Sequence, residues 1–432
     1  MIRLKLLRLI RNNTSHFLKE SIMPMRRSAL LGIVISAAFS ATAAADTSTT
    51  NRYLQTNFVA NTAKYKAATI DPALINAWAI AIRPAGAGGH FWVTGKNISF
   101  QYVGDVQQSP NPTLRRLHTD HLAHITLPVG GDENFATGVV FSGSNEHFSI
   151  TQEVKGADPI TAPAKFLFAS DGGIISAWTE RKKADDSLDQ PDKAITVIDR
   201  SKDGTQFFGL AISHDYSTLY AADFGAQPTI HAFDGKFQPK TIAFDTPFDT
   251  NKNGQVDPGE YAPFNIQALK TPAGDNHLFI TYAKTQACPK EEIRKGTCTT
   301  GTLFVGEEDT SKPGLGRLAE FTEAGKLVSV WNDGGKLSAP WGVVYAPEDF
   351  GVLSGTLLVA NFGDGSIAAY NPTTRKFVDF LRDTKGKPVK IDKIWGLLFG
   401  NGESLGDKNA LYFAAGPNDE KDGLFGSLRA IK

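Results

Sequence analysis

The tripeptides Trp341-Gly342-Val343 and Trp395-Gly396-Leu397 show the unit from which this chain is built: an anchor, a small residue and a branched aliphatic. The anchors of successive units lie roughly 54 to 77 residues apart, and five of the six are aromatic. The other four units are Trp78-Ala79-Ile80, Thr137-Gly138-Val139, Phe208-Gly209-Leu210 and Phe264-Asn265-Ile266. Recurrence at such a spacing is typical of repeat architectures, in which each copy is one supersecondary element.

A second apolar run follows each unit, in most cases after a turn rich in Gly or Asn. These runs are Phe91–Thr94, Lys165–Phe168, Leu219–Ala222, Leu278–Thr281, Leu357–Ala360 and Leu411–Ala414. Several lead through Asp-Gly into a third apolar run, as at Asp171-Gly172 and Asp364-Gly365, which is a hairpin signal. We therefore predict an all-β fold, a six-bladed β-propeller, with the small residue of each unit on the innermost strand where backbones converge.

The last repeat is too short to form a complete blade. Only about 37 residues follow Trp395, whereas Arg52–Val59 precedes the first repeat as an unassigned strand. We expect this N-terminal strand to complete the last blade and to close the ring, because closure removes two exposed strand edges.

Five segments resemble an uncharacterised family of exported bacterial six-bladed propellers. They are Arg52–Asn57, Ala262–Gln267, Ala339–Gly342, Ala360–Gly365 and Ala415–Gly426. The resemblance runs from about Arg52 to the C-terminus and implies fold and export, since the family has no established activity. Some of its members carry a C-terminal cell-surface sorting segment. This chain ends at Lys432 without one, so we expect a periplasmic or extracellular protein.

Residues 1–45 are predicted to be a leader and a signal peptide, which makes 46–432 a single propeller domain. Met25–Arg27 is positively charged, Ala29–Phe39 is apolar, and Ala43–Ala45 supplies small residues for cleavage. The true start codon stays open, since Met23 and Met25 both follow the first Met. Without residues 1–45 the chain holds 38 basic and 44 acidic residues, or about −6, which argues against a nucleic-acid partner. We expect no membrane span after cleavage, and a monomer.

The only cysteines, Cys288 and Cys298, lie in one polar segment. In an oxidising compartment two close cysteines are expected to form a disulfide. A metal pair is the alternative, but it lacks the second pair of ligands of a structural zinc site.

Residues 249–260 match a twelve-residue calcium loop of the EF-hand type. The predicted ligands are Asp249, Asn251, Asn253, the Gln255 carbonyl, Asp257 and Glu260, with Gly254 at the tight turn and Val256 at the aliphatic position. The paired helices are missing, because Lys240–Phe244 reads as a strand and Pro263 prevents a long helix. We predict a weak structural calcium site, with an affinity of about 10⁻⁴ to 10⁻³ M, and a polar turn without metal is the alternative.

Other polar residues follow strand ends, where propeller loops line one mouth of the channel. As channel or mouth ligands the pattern indicates Asn76, Asn265, Asn361, Asp364, Asn418, Asp419 and Asp422, although Asp-Gly turns explain most of the last five. Asn76 and Asn265 lie at inner strands, where the six-bladed gluconolactonases, which this architecture resembles, hold calcium. No Glu occupies the matching inner position of the first repeat.

Three functions are compatible with this sequence. The first is an exported propeller that binds an unknown protein or small-molecule ligand, without catalysis. The second is a calcium-dependent, lactonase-like hydrolase that uses the central channel. The third is a structural protein of the cell envelope. The sequence identifies no catalytic residue, substrate or partner.

Overall fold

The structure is a computed structural model and describes residues 50–431. The predicted leader, signal peptide and cleavage site lie outside the described residues. The strands, in chain order, are β1 (Tyr53–Ala60), β2 (Thr69–Ile70), β3 (Ile80–Ala81), β4 (Phe91–Gly95), β5 (Ile98–Tyr102), β6 (His124–Thr126), β7 (Ala136–Phe141), β8 (Ser149–Val154), β9 (Ala157–Pro163), β10 (Phe166–Ser170), β11 (Ile174–Trp178), β12 (Arg181–Lys182), β13 (Leu188–Asp189), β14 (Ile195–Asp199), β15 (Phe207–Ile212), β16 (Thr218–Asp223), β17 (Thr229–Asp234), β18 (Tyr261–Lys270), β19 (Asn276–Ala287), β20 (Leu303–Glu308), β21 (Gly316–Thr322), β22 (Leu327–Val330), β23 (Pro340–Tyr345), β24 (Leu357–Asn361), β25 (Ile367–Tyr370), β26 (Phe377–Phe380), β27 (Ile394–Phe399), β28 (Leu411–Ala415) and β29 (Leu424–Ala430). The helices in this range are α1 (Lys290–Lys295) and 3-10 turns at Ala63–Tyr65, Pro112–Arg115 and Ser201–Asp203.

These strands form six antiparallel blades around one channel, as predicted. From the channel outward, blade 1 is β3-β4-β5-β6, blade 2 is β7-β10-β11-β14, and blade 3 is β15-β16-β17. Blade 4 is β18-β19-β21-β22, blade 5 is β23-β24-β25-β26, and blade 6 is β27-β28-β29-β1. The small hairpins β8-β9 and β12-β13 are insertions in blade 2 and account for part of its surplus length. The protein is therefore an all-β, six-bladed β-propeller.

Burial along the strands explains why the sequence specifies blades. Every residue of β10, β24 and β28 is buried, because both faces of a second strand are covered by neighbouring blades. The outer strands β14, β22 and β26 have no fully buried residue, and exposed positions recur along them. A strand that is buried along its whole length is therefore a second strand, whereas the outer strands keep exposed positions, which in β22 and β26 include valines.

The N-terminal strand closes the ring, as expected from the short last repeat. β1 pairs antiparallel with β29, from Tyr53 opposite Ala430 to Ala60 opposite Leu424. The Tyr53 hydroxyl also donates to the Phe350 carbonyl at 3.0 Å and thereby ties blade 6 to blade 5. The first described strand of the chain is thus bonded to the last.

The strand predicted at Lys240–Phe244 is absent, and blade 3 has three strands. Beyond β17 the pairing continues only through the bridge between Phe233 and Pro239 and the bond from the Lys240 amide to the Ala232 carbonyl at 2.8 Å. The Asp234 amide also donates to the Gln238 carbonyl at 2.9 Å, so Pro239 lies in a non-hydrogen-bonded pair and its nitrogen faces away from β17. The segment then leaves the blade, and Phe244 packs against the core shared by blades 3 and 4.

One end of the ring, which we name the upper face, collects most of the predicted functional residues. In an antiparallel four-stranded blade, the turn between the second and third strands and the link to the next blade emerge at the same end. The upper face therefore carries the turn after β28, the turn after β24, the long excursion between β19 and β21, and the calcium loop before β18.

Candidate functional site

The inner strands approach one another so closely that only small residues fit at several positions. A Cβ atom on Gly342 would lie 2.5 Å from the Trp395 carbonyl, and one on Gly396 would lie 2.7 Å from the Trp78 carbonyl. On Gly209 it would collide with the side chain of Asn265. The small residue of the repeat is thus explained by the convergence of neighbouring blades, as predicted.

The anchors of the repeat fill the channel with aromatic rings, which we name the aromatic plug. Trp395 lies at its centre, stacked on Trp78 with ring centroids 3.8 Å apart and on Phe362 at 4.0 Å. The Trp341 indole donates at 3.0 Å to the Phe208 carbonyl of a non-adjacent blade, so the plug also links strands across the channel. The plug consists of Trp78, Phe208, Phe264, Trp341, Phe362 and Trp395, all buried.

Both asparagines predicted at the channel use their amides to join blades. Asn76 donates to Glu420 Oε2 at 2.8 Å and accepts a hydrogen bond from the Trp395 indole at 2.9 Å. The Asn265 amide donates to the Trp341 carbonyl at 2.8 Å. Asn76 therefore holds blade 1 to blade 6, and Asn265 holds blade 4 to blade 5.

Above the plug, four ionisable side chains form what we name the mouth cluster: Glu307, Glu308, Lys393 and Glu420. The Lys393 ammonium lies 4.0 Å from the centroid of the Phe362 ring, at the top of the plug. The three glutamates lie close enough to one another and to Lys393 to perturb each other's ionisation. A single cation thus faces three carboxylates over an aromatic floor.

The surrounding protein raises the pKa of all three glutamates of the mouth cluster, although Glu307 is exposed and Glu308 and Glu420 are half-buried. Burial and the negative charge of Glu420 raise the pKa of Glu308 to about 8, although the positive charge of Lys393 opposes this shift. Burial also raises the pKa of Glu420, although the hydrogen bond from Asn76 opposes this shift. Burial raises the pKa of Glu307 as well, against the attraction of Lys393. At neutral pH the Glu308 carboxyl is therefore largely protonated.

The excursion between β19 and β21 places Glu307 and Glu308 at the mouth. β20 folds back on the upper end of β19, with Glu308 opposite Thr285, and Gln286 donates to the Glu308 carbonyl at 2.6 Å. The predicted disulfide between Cys288 and Cys298 is confirmed within this excursion, where it encloses α1. The disulfide thus lies in the segment that carries two glutamates of the cluster.

The backbone around the cluster adopts left-handed conformations that side chains disfavour. Asn418, Asp419 and Glu420 have consecutive φ values of 62°, 55° and 63°, and Lys393 has a φ of 51°. Such conformations cost about 1–3 kcal/mol each and persist only where surrounding contacts impose them. Here the main-chain N–H of Glu420 donates to the Gly416 carbonyl at 2.9 Å. The main-chain N–H of Asn418 donates to Asp392 Oδ2, also at 2.9 Å.

Most of the predicted mouth residues have structural partners instead. The Asn361 amide donates to the Lys336 carbonyl at 2.9 Å, and Asp364 pairs with Lys390 at 2.8 Å. Asp422 accepts from the Tyr65 hydroxyl at 2.6 Å. Asp419, by contrast, is exposed and raises the pKa of Glu307 and Glu420 through its charge.

The calcium loop has its oxygen-bearing side chains directed at one another. Asp249 accepts from the amides of Lys252 and Gly254, at 2.6 and 2.9 Å. Asp257 Oδ2 accepts from the Asn251 and Asn253 amides at 2.6 and 2.9 Å. The predicted ligands at the third, fifth and ninth positions are thus in contact, whereas Asp249, at the first position, accepts from main-chain amides of the loop.

Glu260, at the twelfth position of the loop, is also directed inward. It accepts from the Thr250 amide at 2.9 Å and from the Asp257 amide at 3.1 Å. Burial raises the pKa of Glu260, but the hydrogen bonds from Thr250 and Asp257 outweigh it and hold this pKa below its ordinary value. Carboxylate and amide oxygens are the ligands that calcium prefers, so the residue types of this loop fit the ion.

Among residues 50–431, no three His, Cys, Asp or Glu side chains are grouped as a metal site would require. A calcium ion in the loop would therefore also need the side-chain oxygens of Asn251 and Asn253 and a main-chain carbonyl as ligands. Within the same range, no helix has the length and apolar character needed to cross a lipid bilayer.

Sequence reasoning missed Glu307, Glu308, Lys393 and Glu420. One available signal was positional: Lys393 precedes Trp395 by two residues, as Asn76 precedes Trp78, and both have positive φ. The segment that carries Glu420 belongs to the stretch Ala415–Gly426 that the family resemblance covers. No sequence pattern indicates that Glu308 lies opposite these residues.

The fold defines the chain as a six-bladed propeller with a plugged channel, and comparison with known proteins adds relatives without a known function. Two uncharacterised proteins of Acanthamoeba polyphaga mimivirus are each 27% identical to this chain over 375 residues. The matches cover 86% of this chain and 79% and 84% of those proteins. No family model matches. The solved structure of a protein of unknown function from Bacteroides caccae is 12% identical to this chain, with a TM-score of 0.38. The match covers 80% of this chain and 83% of that protein's chain.

Proposed function

We propose that the protein is an exported binding protein that takes a positively charged group of its ligand at the mouth cluster. The observation that carries this proposal is the charge imbalance above the plug, where Lys393 alone faces Glu307, Glu308 and Glu420. A carboxyl group that is buried without sufficient positive charge retains its proton, which is why the Glu308 pKa is raised. A second cation would replace that proton and reduce the imbalance.

The chemistry of the mouth favours an ammonium or guanidinium group. The Lys393 ammonium already lies over the Phe362 ring, and the faces of aromatic rings attract cations. The plug below is filled with buried rings, so the ligand group would bind at the upper face and would not pass through the channel.

Methylguanidinium is a suitable probe because it stays charged across the pH range of interest. By calorimetry we expect saturable binding to the wild-type protein that strengthens between pH 7 and pH 9, since a proton leaves Glu308 on binding. Glu308→Gln should weaken binding at pH 9, whereas Glu153→Gln, on an exposed hairpin position, should not. Absence of binding at pH 9, or equal affinity for Glu308→Gln, would contradict the proposal.

We propose further that calcium binds at Asp249, Asn251, Asn253, Gln255, Asp257 and Glu260, and stiffens the link between blades 3 and 4. The convergence of these groups supports it. The disulfide and the absence of a membrane-spanning helix among residues 50–431 are compatible with export to the periplasm or the exterior.

The alternative functions have less support. A lactonase-like hydrolase would need the side-chain amides of Asn76 and Asn265 as calcium ligands in the channel. Both amides instead form hydrogen bonds between blades. A structural role in the cell envelope predicts recovery in the envelope fraction, whereas the binding protein should be recovered in the soluble fraction.

A further inference from the structure

A small pocket lies between blades 3 and 4, beside the calcium loop. Its volume is about 120 Å³, and four aromatic side chains line it: Phe244, Phe248, Tyr261 and Tyr282. Phe248 meets Tyr282 edge-on, with ring centroids 4.7 Å apart, and lies 5.9 Å from Tyr261. Asp249, Gly254 and Val256 of the calcium loop form part of the wall.

Tyr282 lines this pocket, and its side chain ends in a hydroxyl group. Tyr282 is only 6% exposed, and among the described residues its hydroxyl has no hydrogen-bond partner. Buried tyrosines ordinarily find a partner, as the Tyr53 and Tyr220 hydroxyls do at 3.0 and 2.9 Å, whereas those of Tyr102 and Tyr370 are enclosed without one. Tyr282 differs from Tyr102 and Tyr370 in lining a pocket. Burial raises the pKa of Tyr282 above its usual range, so the hydroxyl stays protonated and can donate.

The size and lining of the pocket limit what it could hold. An apolar cavity of about 150 Å³ is known to accept benzene, and this pocket, at about 120 Å³, is of a similar size. Aromatic walls favour an aromatic guest, which gains edge-to-face contacts beyond the burial of its surface. The Tyr282 hydroxyl would complement one oxygen on that ring.

We propose that this pocket binds a small molecule with a single aromatic ring and one oxygen substituent, of the phenol type. The ring would lie between Phe244 and Phe248, and its oxygen would accept a hydrogen bond from Tyr282. This site is separate from the mouth cluster, requires no charge on its ligand, and goes beyond the function proposed above.

The experiment uses fluorine NMR titrations with para-fluorophenol and fluorobenzene in calcium-containing buffer. The wild-type protein should bind para-fluorophenol saturably, and fluorobenzene more weakly. Tyr282→Phe should weaken para-fluorophenol binding about three- to tenfold, the effect of one hydrogen bond, and leave fluorobenzene binding unchanged. Phe248→Ala should weaken the binding of both probes, because it removes a wall of the pocket.

Tyr345→Phe is the matched control, since it removes a hydroxyl on blade 5, and it should change neither titration. The proposal is overturned if para-fluorophenol shows no saturable binding to the wild-type protein. It is equally overturned if Tyr282→Phe and the wild type have the same affinity for that probe. Because both probes are uncharged, either result leaves the cation site at the mouth to be judged on its own titration.

Discussion

Replacing Glu308 by Gln should make the protein more stable at alkaline pH, and the size of the gain can be worked out from the raised pKa. In the unfolded chain this carboxyl has its ordinary pKa of 4.5, and in the folded protein burial raises it to about 8. The folded state therefore binds the proton more tightly. The stability that this bound proton contributes is complete below about pH 4.5 and is lost as the pH rises through 8.

Between pH 6 and pH 9 this one group should cost the wild-type protein about 2–3 kcal/mol of unfolding free energy. Gln keeps the shape of the side chain and has no charge to bury, so the stability gap between Glu308→Gln and wild type should widen by that amount. The assay is urea unfolding at pH 6 and at pH 9. Glu153→Gln, at an exposed position, serves as the control and should show no widening. A gap that stays constant from pH 6 to pH 9 would refute the assignment of a raised pKa to Glu308.

Three further outcomes are expected. About 10 mM calcium should stabilise the wild-type protein by about 1–3 kcal/mol, given an affinity of about 10⁻⁴ to 10⁻³ M, and thermal melts of Asp249→Ala should show no calcium effect. Deletion of residues 52–59 should give insoluble protein, because β29 then loses its partner; soluble material with a normal melt would contradict ring closure. Gly342→Ala should destabilise the fold by about 1–3 kcal/mol in urea, since the added Cβ meets the rigid Trp395 carbonyl at 2.5 Å; unchanged stability would show that the inner strands can separate.

The fold could be predicted from the sequence because its determinants are local and repeated. Each anchor, small residue and aliphatic marks an inner strand, and the following apolar run marks a strand with both faces covered. The strand predicted at Lys240–Phe244 was wrong because an apolar pattern does not register that this segment leaves blade 3: Phe244 packs into the core shared by blades 3 and 4, and the Asp245 amide donates to the Gly325 carbonyl at 3.0 Å. Local pattern also found the disulfide between Cys288 and Cys298.

The mouth cluster could not be predicted in the same way, because it depends on contacts between distant loops. Glu308 meets Glu420 only because β20 folds back from blade 4 over the channel and the left-handed turn after β28 reaches it from blade 6. Asn76 looked like a free ligand, since nothing in the sequence reveals its bonds to Glu420 and Trp395. Loop conformation, rather than strand pattern, determines these positions.

The pairing of β1 with β29 has a consequence for the order in which the protein folds. Tyr53 bonds to a strand that ends at Ala430, so β1, the first described strand, must wait until nearly all of residues 50–431 have been made before it finds its partner. Contacts this distant in sequence form slowly, and the unpaired edge is prone to aggregation meanwhile. A chain that cannot complete its ring early therefore remains incompletely folded until β29 has been made.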